Sequence, residues 1–493
     1  MGWLIVIAIF SISLWLIRNL CALPSITKKD LVIGFSIKVG FALLYILLFT
    51  YYFSNGTLMG DTARFFNDSL QINTLYNESP LDFLRVLFGF NPVNATSINI
   101  LNNTNIWAVG PTTDWINDNK LILKINAIIH FISFKNVYVH ALIFSCISYI
   151  GILYIYKTFV NFITNKRLFW FVLIAAPNFA FWGSGLLKEA IFGFGFGLWC
   201  WAVYQLKNKS YTHMILLMAA AFLLVFNKPY AGLIIVAFTI YIVVGYFTKW
   251  SKKGIYSMTM LSIVALLAVI FIPGKLNLTN RLSAKQTDLD NLARGGIAFV
   301  NDSAFCVFPY DELSKFTQVG NDSIMVRTAV SGQYKIFGQS NFKDFIIQPS
   351  TKPYAVYLIY QPSGSYIAPT LIKNSPIQLL RNTGSAMVNV WLRPFPTDPG
   401  DKLKILNFIN NLGLLFIVAV AVMRRRRLAQ IEKYLVASLL GSAIMISLII
   451  GWSVPIFGAI VRYKIPVELL IIITSFILLK SLKHENIQNN RPL

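Results

Sequence analysis

"LVIGFSIKVGFALLYILLFTYYFSNGTLMGDTARFFNDS" (residues 31–69) joins an apolar run to an abruptly charged stretch. About 20 apolar residues cross ~30 Å of hydrocarbon, and residues 31–52 are long enough, with Lys38 as the one charge among them. Working outward, the same criterion gives eleven candidate spans: roughly 2–17, 31–52, 137–163, 168–183, 189–206, 212–227, 230–248, 255–273, 403–423, 434–452 and 465–480. The chain of 493 residues is 56% hydrophobic and 13% charged, which places it with multi-pass membrane proteins rather than with soluble multidomain ones. The expected fold is all-α and polytopic, with about eleven transmembrane helices and two long extracytoplasmic loops.

A net charge of +23 might suggest nucleic acid, but the excess falls in short clusters between apolar runs. With eleven spans, Arg18, Lys28 and Lys29, Lys166 and Arg167, Lys207 and Lys209, Lys249, Lys252 and Lys253, Arg424 to Arg427, and Lys480 and Lys483 all fall on one side. That is the positive-inside pattern, so this side is read as cytoplasmic and nucleic acid is excluded as a partner. The N-terminal "MGWLIVIAIFSISLWLIRNL" has no basic n-region and no small-x-small cleavage site, so it reads as a retained first helix entering from outside. The expected order is two spans (1–52), an outer loop (53–136), six spans (137–273), a second outer segment (274–402), three spans (403–480) and a cytoplasmic tail (481–493). In the first loop "LILKINAIIHFISF" (121–134) has helical apolar spacing and reads as an interfacial helix. The second segment, rich in Tyr, Phe and β-branched residues, is expected to hold some strand and to contact an acceptor. Cysteines at 21, 146, 200 and 306 lack CxxC spacing, so no disulfide framework or zinc site is read from them.

The informative charges are those on the outer face, where the topology rule gives them no reason to be. They are Asp61, Arg64 and Asp68, Lys188 and Glu189, Lys228 in "FNKPY", Arg393 in "WLRPFP", and Arg462 and Lys464 in "VRYKIP". Cations near lipid must snorkel, pair or bind an anion. Their convergence on one face points to a phosphate or pyrophosphate whose apolar tail stays in the bilayer. Lys38, deep in the second span, is expected to snorkel.

If residues 61–69 are helical, Asp61 and Asp68 share a face with Arg64 between them. The plain structural expectation is that Asp61 caps the helix after Gly60 and Arg64 bridges both carboxylates. The two Asp Cα atoms lie ~10 Å apart at 1.5 Å per residue, too far to grip one metal ion or share one proton. Asp61, nearest the membrane exit, is therefore the catalytic candidate, and Asp68 is assigned to holding Arg64. A carboxylate beside a lipid phosphate suits sugar transfer from a polyprenyl phosphate, which needs a base for the acceptor hydroxyl and cations for the departing phosphate.

This layout resembles the GT-C superfamily of membrane glycosyltransferases, the group of the protein O-mannosyltransferases and the aminoarabinose transferase of lipid A. The resemblance rests on many spans, a long first outer loop opening with "GDTARFFND", and the short segments "FWGSGLLKEA" (181–190), "WLRPFP" (391–396) and "VRYKIP" (461–466). It implies Asp61 in the position of the catalytic carboxylate, with Glu189 as a candidate second acid. Lys188, Lys228, Arg393, Arg462 and Lys464 would hold the lipid phosphate, with Arg64, Asp68 and Tyr463 in support. The chain departs from the mannosyltransferase pattern, in which adjacent Asp-Glu follows the first span, by carrying Gly-Asp after the second. The implied partners are a polyprenyl-phosphate-linked sugar, membrane lipid, and a glycan, lipid or protein acceptor. No cofactor is assigned, and a divalent metal is left open. The implied location is the bacterial inner membrane, N-terminus outside and C-terminus in the cytoplasm. Competing expectations are an envelope polysaccharide polymerase or ligase, a lipid-linked-glycan flippase, and a non-catalytic subunit of an envelope assembly.

Overall fold

The structure is a computed structural model that describes the chain except residues 1, 108–116, 207–209, 248–259, 261–270, 272–276, 302–303, 321–322, 337–342, 356–357, 361 and 481–493. The expected span 255–273, the tail 481–493 and Lys207, Lys209, Lys249, Lys252, Lys253 and Lys483 therefore lie almost wholly outside the described residues.

The chain is mostly helical. Its first half runs α1 (Gly2–Leu20), α2 (Lys28–Leu47, prolonged by a π-helical turn Leu48–Tyr52), α3 (Gly60–Glu78), α4 (Pro80–Phe88), α5 (Ala95–Asn102), α6 (Asn119–Ser133), α7 (Val137–Phe159), α8 (Lys166–Ala175), α9 (Pro177–Trp182), α10 (Lys188–Gln205), α11 (Tyr211–Asn227) and α12 (Pro229–Phe247). After α13 (Leu278–Arg294) and a β-rich stretch come α14 (Pro376–Arg381), α15 (Thr383–Trp391), α16 (Lys404–Met423), α17 (Gln430–Ser453), α18 (Phe457–Tyr463) and α19 (Ile465–Leu478).

Among the described residues five helices are long and apolar enough to cross a membrane: Trp3–Leu20, Lys28–Tyr52, Val137–Phe162, Lys404–Met423 and Gln430–Ser453. Shorter apolar helices, Tyr211–Asn227, Pro229–Thr239 and Ile465–Leu478, accompany them. The expected span 168–183 is divided into α8 and α9, because Pro177 has no N–H to continue α8 and instead opens α9 at its first position.

The main apolar core joins α2, α7, α8, α10, α17 and α19. Helices α7 and α10 pack backbone to backbone through Gly151, Gly193 and Gly197. A side chain at Gly151 would run into the Gly193 carbonyl, and one at Gly197 into the Gly151 carbonyl. Such small-residue seams let helices approach closely where lipid gives no hydrophobic drive for association. Helix α2 starts where Thr27 and Asp30 cap each other: Asp30 N–H donates to Thr27 Oγ1 (3.1 Å) and Thr27 N–H donates to Asp30 Oδ2 (3.2 Å).

Lys38 does not snorkel. Its side chain is fully buried, and Nζ donates to the carbonyls of Phe179 (3.1 Å) and Gly183 (3.2 Å), 4.2 Å from the Phe179 ring centroid. It caps the end of α9, adding to the Gly183 N–H on the Phe179 carbonyl and taking the Gly183 carbonyl, which has no onward helical partner. Lys38 therefore fixes the "GSGLL" turn (183–187) that delivers Lys188 and Glu189.

Segment 53–136 is folded by buried carboxylates. Asp68 accepts from the backbone N–H groups of Asn105 (3.0 Å) and Ile106 (2.6 Å), and Asp82 from those of Val93 (3.0 Å) and Asn94 (2.9 Å). This corrects the assignment of Asp68 to Arg64. Arg64 is exposed and forms no ion pair among the described residues, while Asp68 is buried and has turned inward to loop amides. Helix α6 covers the expected 121–134, burying Ile122, Leu123, Ala127, Ile129 and His130 and exposing Ile128, Phe131 and Ile132.

Among the described residues the named strands fall in 296–360, within the second segment (274–402) that was expected to hold some strand, so the chain is not all-helical. Strands β1 (Gly296–Asn301), β2 (Ala304–Phe308), β5 (Val330–Ile336), β6 (Lys343–Ile347) and β8 (Leu358–Tyr360) form an antiparallel sheet in the order β6-β5-β2-β1-β8. Strands β3 (Phe316–Gly320), β4 (Ser323–Val326) and β7 (Tyr354–Ala355) form a second. Cys306, Phe308, Val326, Val330 and Ile347 fill the small core they share.

Candidate functional site

Four of the sequence-selected residues meet at one end of the bundle. Gly60 starts α3 with φ +76, a left-handed geometry that favours glycine, and so aims the first turn back over the membrane end. Met59, not Asp61, occupies the N-cap position, and no side chain caps it. This corrects the expected capping role: Asp61 sits inside the first turn and gives its Oδ2 to Arg462 Nη1, at the end of α18. Arg462 Nε reaches Glu189 Oε1 at 2.8 Å, in the first turn of α10. The same oxygen accepts from Lys228 Nζ at 2.8 Å, where Pro229 ends the α11–α12 turn. The resulting chain, Asp61–Arg462–Glu189–Lys228, ties α3, α18, α10 and α11 together across as many as 401 positions of sequence.

Exposure is graded along this chain. Glu189 is fully buried and Lys228 nearly so, the Arg462 side chain is 11% exposed and that of Asp61 44%. Among the described residues Asp61 Oδ1 accepts no hydrogen bond, so one carboxylate oxygen is pinned and the other is open. Loss of solvent pulls the Asp61 carboxyl upward, but Arg462, by charge and hydrogen bond, with Lys188 and Arg64 behind it, holds it below the ordinary carboxylate range. Aromatic side chains frame the cations: Lys228 Nζ lies 5.6 Å from the Tyr463 ring centroid and 6.0 Å from that of Tyr230, whose hydroxyl donates to the Tyr463 carbonyl (3.0 Å). Tyr463 thus lies against the site.

The remaining expected cations have other partners. Lys188 Nζ pairs with Asp118 Oδ2 at 2.7 Å, pinning the start of α6 beside Glu189. Arg393 forks onto Asp398, with Nε to Oδ2 at 3.0 Å, and packs 5.0 Å from the Phe457 ring centroid. Lys464 is buried, donating to Asn411 Oδ1 and more weakly to the Val390 carbonyl (3.4 Å). Asn411 in turn donates to the Arg393 carbonyl (2.9 Å). The expectation that all five cations gather over Asp61 is thus corrected to two in the chain and a third alongside it. Arg393 and Lys464 turn away because Asp398 and Asn411 satisfy them locally. None of the five is left as a bare charge waiting for an anion.

The chain matches no protein-family model, no curated protein and no solved structure.

One buried acid escaped the sequence reading. Glu468, in the first turn of α19, accepts from Asn178 of α9 and from Asn410 of α16 (3.0 Å) on Oε1, while Oε2 is buried without a hydrogen-bond partner among the described residues. With Lys464, Asn411, Trp391 and Val390 it lines a small cavity below the outer charges. A glutamate in the apolar run "IPVELLIII", four residues after Lys464, was the available signal. No three His, Cys, Asp or Glu side chains among the described residues come together as metal ligands, and Arg462 fills the position between Asp61 and Glu189 where a cation would bridge them.

Proposed function

We propose that the chain is a GT-C-like membrane glycosyltransferase of about eleven spans that moves a sugar from a polyprenyl-phosphate donor to an acceptor hydroxyl on the extracytoplasmic face of a bacterial inner membrane, with Asp61 as the base. The observation that supports this reading is the asymmetry of Asp61. One oxygen is fixed by a guanidinium that is itself locked by a buried glutamate, and the other is open on a half-exposed side chain. Such a carboxylate stays ionised, does not swing, and can accept a proton at one defined position, which is what orienting an acceptor hydroxyl requires.

In the reaction the acceptor oxygen attacks the anomeric carbon and the carbon–oxygen bond to phosphate breaks. The lipid phosphate leaves with the electron pair, and the hydroxyl proton passes to Asp61 before it is lost to water. Arg462 and Lys188, both more exposed than Lys228 (11% and 13% against 3%), exchange part of their carboxylate contacts for phosphate oxygens as the donor arrives. Glu189 keeps Arg462 in reach and acts as a positioning residue.

The test is transfer of radiolabelled sugar from a panel of polyprenyl-phosphate donors by the full chain in proteoliposomes. Asp61→Asn should lower transfer at least ~100-fold while the protein still inserts, and unchanged transfer would remove Asp61 from the chemistry. The mutual neutralisation of the four charges favours a second reading, an ion-pair clamp in a non-catalytic envelope subunit. In that case Asp61→Asn would alter stability and nothing else.

A further inference from the structure

We propose that the end of the bundle opposite Asp61 is a docking face for the anionic phospholipid headgroups of the adjoining leaflet. The helix ends gathered there come from distant parts of the chain: 18–30 between α1 and α2, 157–167 between α7 and α8, 424–433 between α16 and α17, and 479–480 after α19. Together they carry Arg18, Lys28, Lys29, Lys157, Lys166, Arg167, Arg424 to Arg427, Lys433 and Lys480 against two carboxylates, Asp30 and Glu432. Both carboxylates are already in use. Asp30 Oδ1 takes Arg167 at 3.0 Å, and Glu432 takes the fork of Arg426 at 2.7 and 2.9 Å.

The positive-inside rule accounts for the sidedness of these charges but not for the way the structure joins them. The turns are knitted into one platform. Arg426 donates to the carbonyls of Phe162 (2.8 Å) and Ile477 (3.0 Å), and Lys480 N–H to the Arg424 carbonyl (2.9 Å). Thr164 and Asn165 donate to the carbonyls of Leu479 (3.0 Å) and Lys480 (3.1 Å), and Tyr156 to that of Pro24 (2.6 Å). Arg426 is the staple. Its neighbours Arg424, Arg425 and Arg427 are exposed, as are Arg18, Lys28, Lys29, Lys157, Lys433 and Lys480, and no carboxylate pairs with any of them among the described residues.

A set of like charges on a platform that cannot splay repels itself, and the repulsion is relieved by bound anions. The anions at hand are set by position. These side chains leave the ends of membrane-length helices, level with phosphate headgroups, where clustered lysine and arginine attract anionic lipid. Headgroups anchored by their own acyl chains can line such a collar at several points at once, which a soluble anion does only by repeated independent binding. This inference does not depend on the reading of Asp61.

The full chain, purified from membranes and reconstituted in vesicles of phosphatidylcholine with one part in five phosphatidylglycerol, provides the test. Native mass spectrometry after detergent extraction should show phosphatidylglycerol enriched at least five-fold over its share among the retained lipids. The triple variant Arg424→Gln, Arg425→Gln, Arg427→Gln should lose most of that enrichment while Lys343→Gln, on an exposed strand of the β-rich stretch, keeps it. Should the triple variant fail to fold, the pair Lys28→Gln, Lys29→Gln serves, together with the wild-type protein in rising salt, which should release the anionic lipid. Equal enrichment in wild type and variant, retention that ignores salt, or displacement of the lipid by inorganic triphosphate at matched phosphate concentration would each overturn the proposal.

Discussion

At the Asp61 end of the bundle each of the five cations expected on the phosphate has an acid or amide of its own: Lys228 and Arg462 on Glu189, Arg462 also on Asp61, Lys188 on Asp118, Arg393 on Asp398, Lys464 on Asn411. At the other end twelve cations share two acids, and most project outward. Charge placed for topology needs only a side of the membrane, so it stays exposed and unmatched. Charge held inside the protein must be compensated in place, because removing it from water costs several kcal/mol per ion. The pairing at the Asp61 end therefore marks a set of positions fixed by geometry, and exposure within that set singles out Asp61 as the member that meets solvent.

Substitutions should separate the two ends sharply. Glu189→Gln removes the one acid that pairs with Lys228 among the described residues and one of the two that pair with Arg462, so we expect a loss of about 3–5 kcal/mol in unfolding free energy in detergent. A smaller loss, below about 1 kcal/mol, would mean that water already compensates the pair. Lys38→Met leaves the Gly183 carbonyl without its donor and the Phe179 carbonyl with the Gly183 N–H alone, and should cost about 2 kcal/mol, visible as faster proteolysis at the 183–187 turn. For Asp61 the carboxyl is held below its ordinary value, so the ion pair with Arg462 contributes its stability fully above about pH 4 and loses it as pH falls through the lowered folded value. An acid titration of unfolding should show that limb in the wild-type protein and lack it in Asp61→Asn. Arg425→Gln, at the unmatched end, should change unfolding by no more than about 0.5 kcal/mol in neutral detergent.

These differences also explain what could be read from the sequence. The membrane helices were legible because an apolar run of spanning length is a local property, and α2, α7, α16 and α17 fall close to the expected boundaries. Strand in the second outer segment was legible from its aromatic and β-branched content. That Asp61, Glu189, Lys228 and Arg462 lie together was legible because each is a charge at a turn where the basic clusters of the positive-inside pattern do not fall. Who pairs with whom was not, since Arg462 and Asp61 are 401 positions apart and Arg393 finds its acid five residues away. Lys38 was misread for a related reason. Snorkelling is the expectation for a lysine with lipid or water beside it, whereas α9 ends against Lys38 and offers it two carbonyls. Asp68 was misassigned because helical spacing shows which face a side chain shares, not that a loop returns to offer it backbone amides. Glu468 was missed among apolar neighbours although an acid inside a spanning run is itself a signal.

The measurement that tests the account most directly sets two readouts of Asp61→Asn side by side in one preparation: sugar transfer from polyprenyl phosphate, and unfolding free energy at neutral pH. We expect transfer to fall at least ~100-fold while unfolding changes by no more than about 1 kcal/mol, the size of a partly exposed ion pair. Intact transfer with a large loss of stability would contradict the account and make the outer charges a clamp.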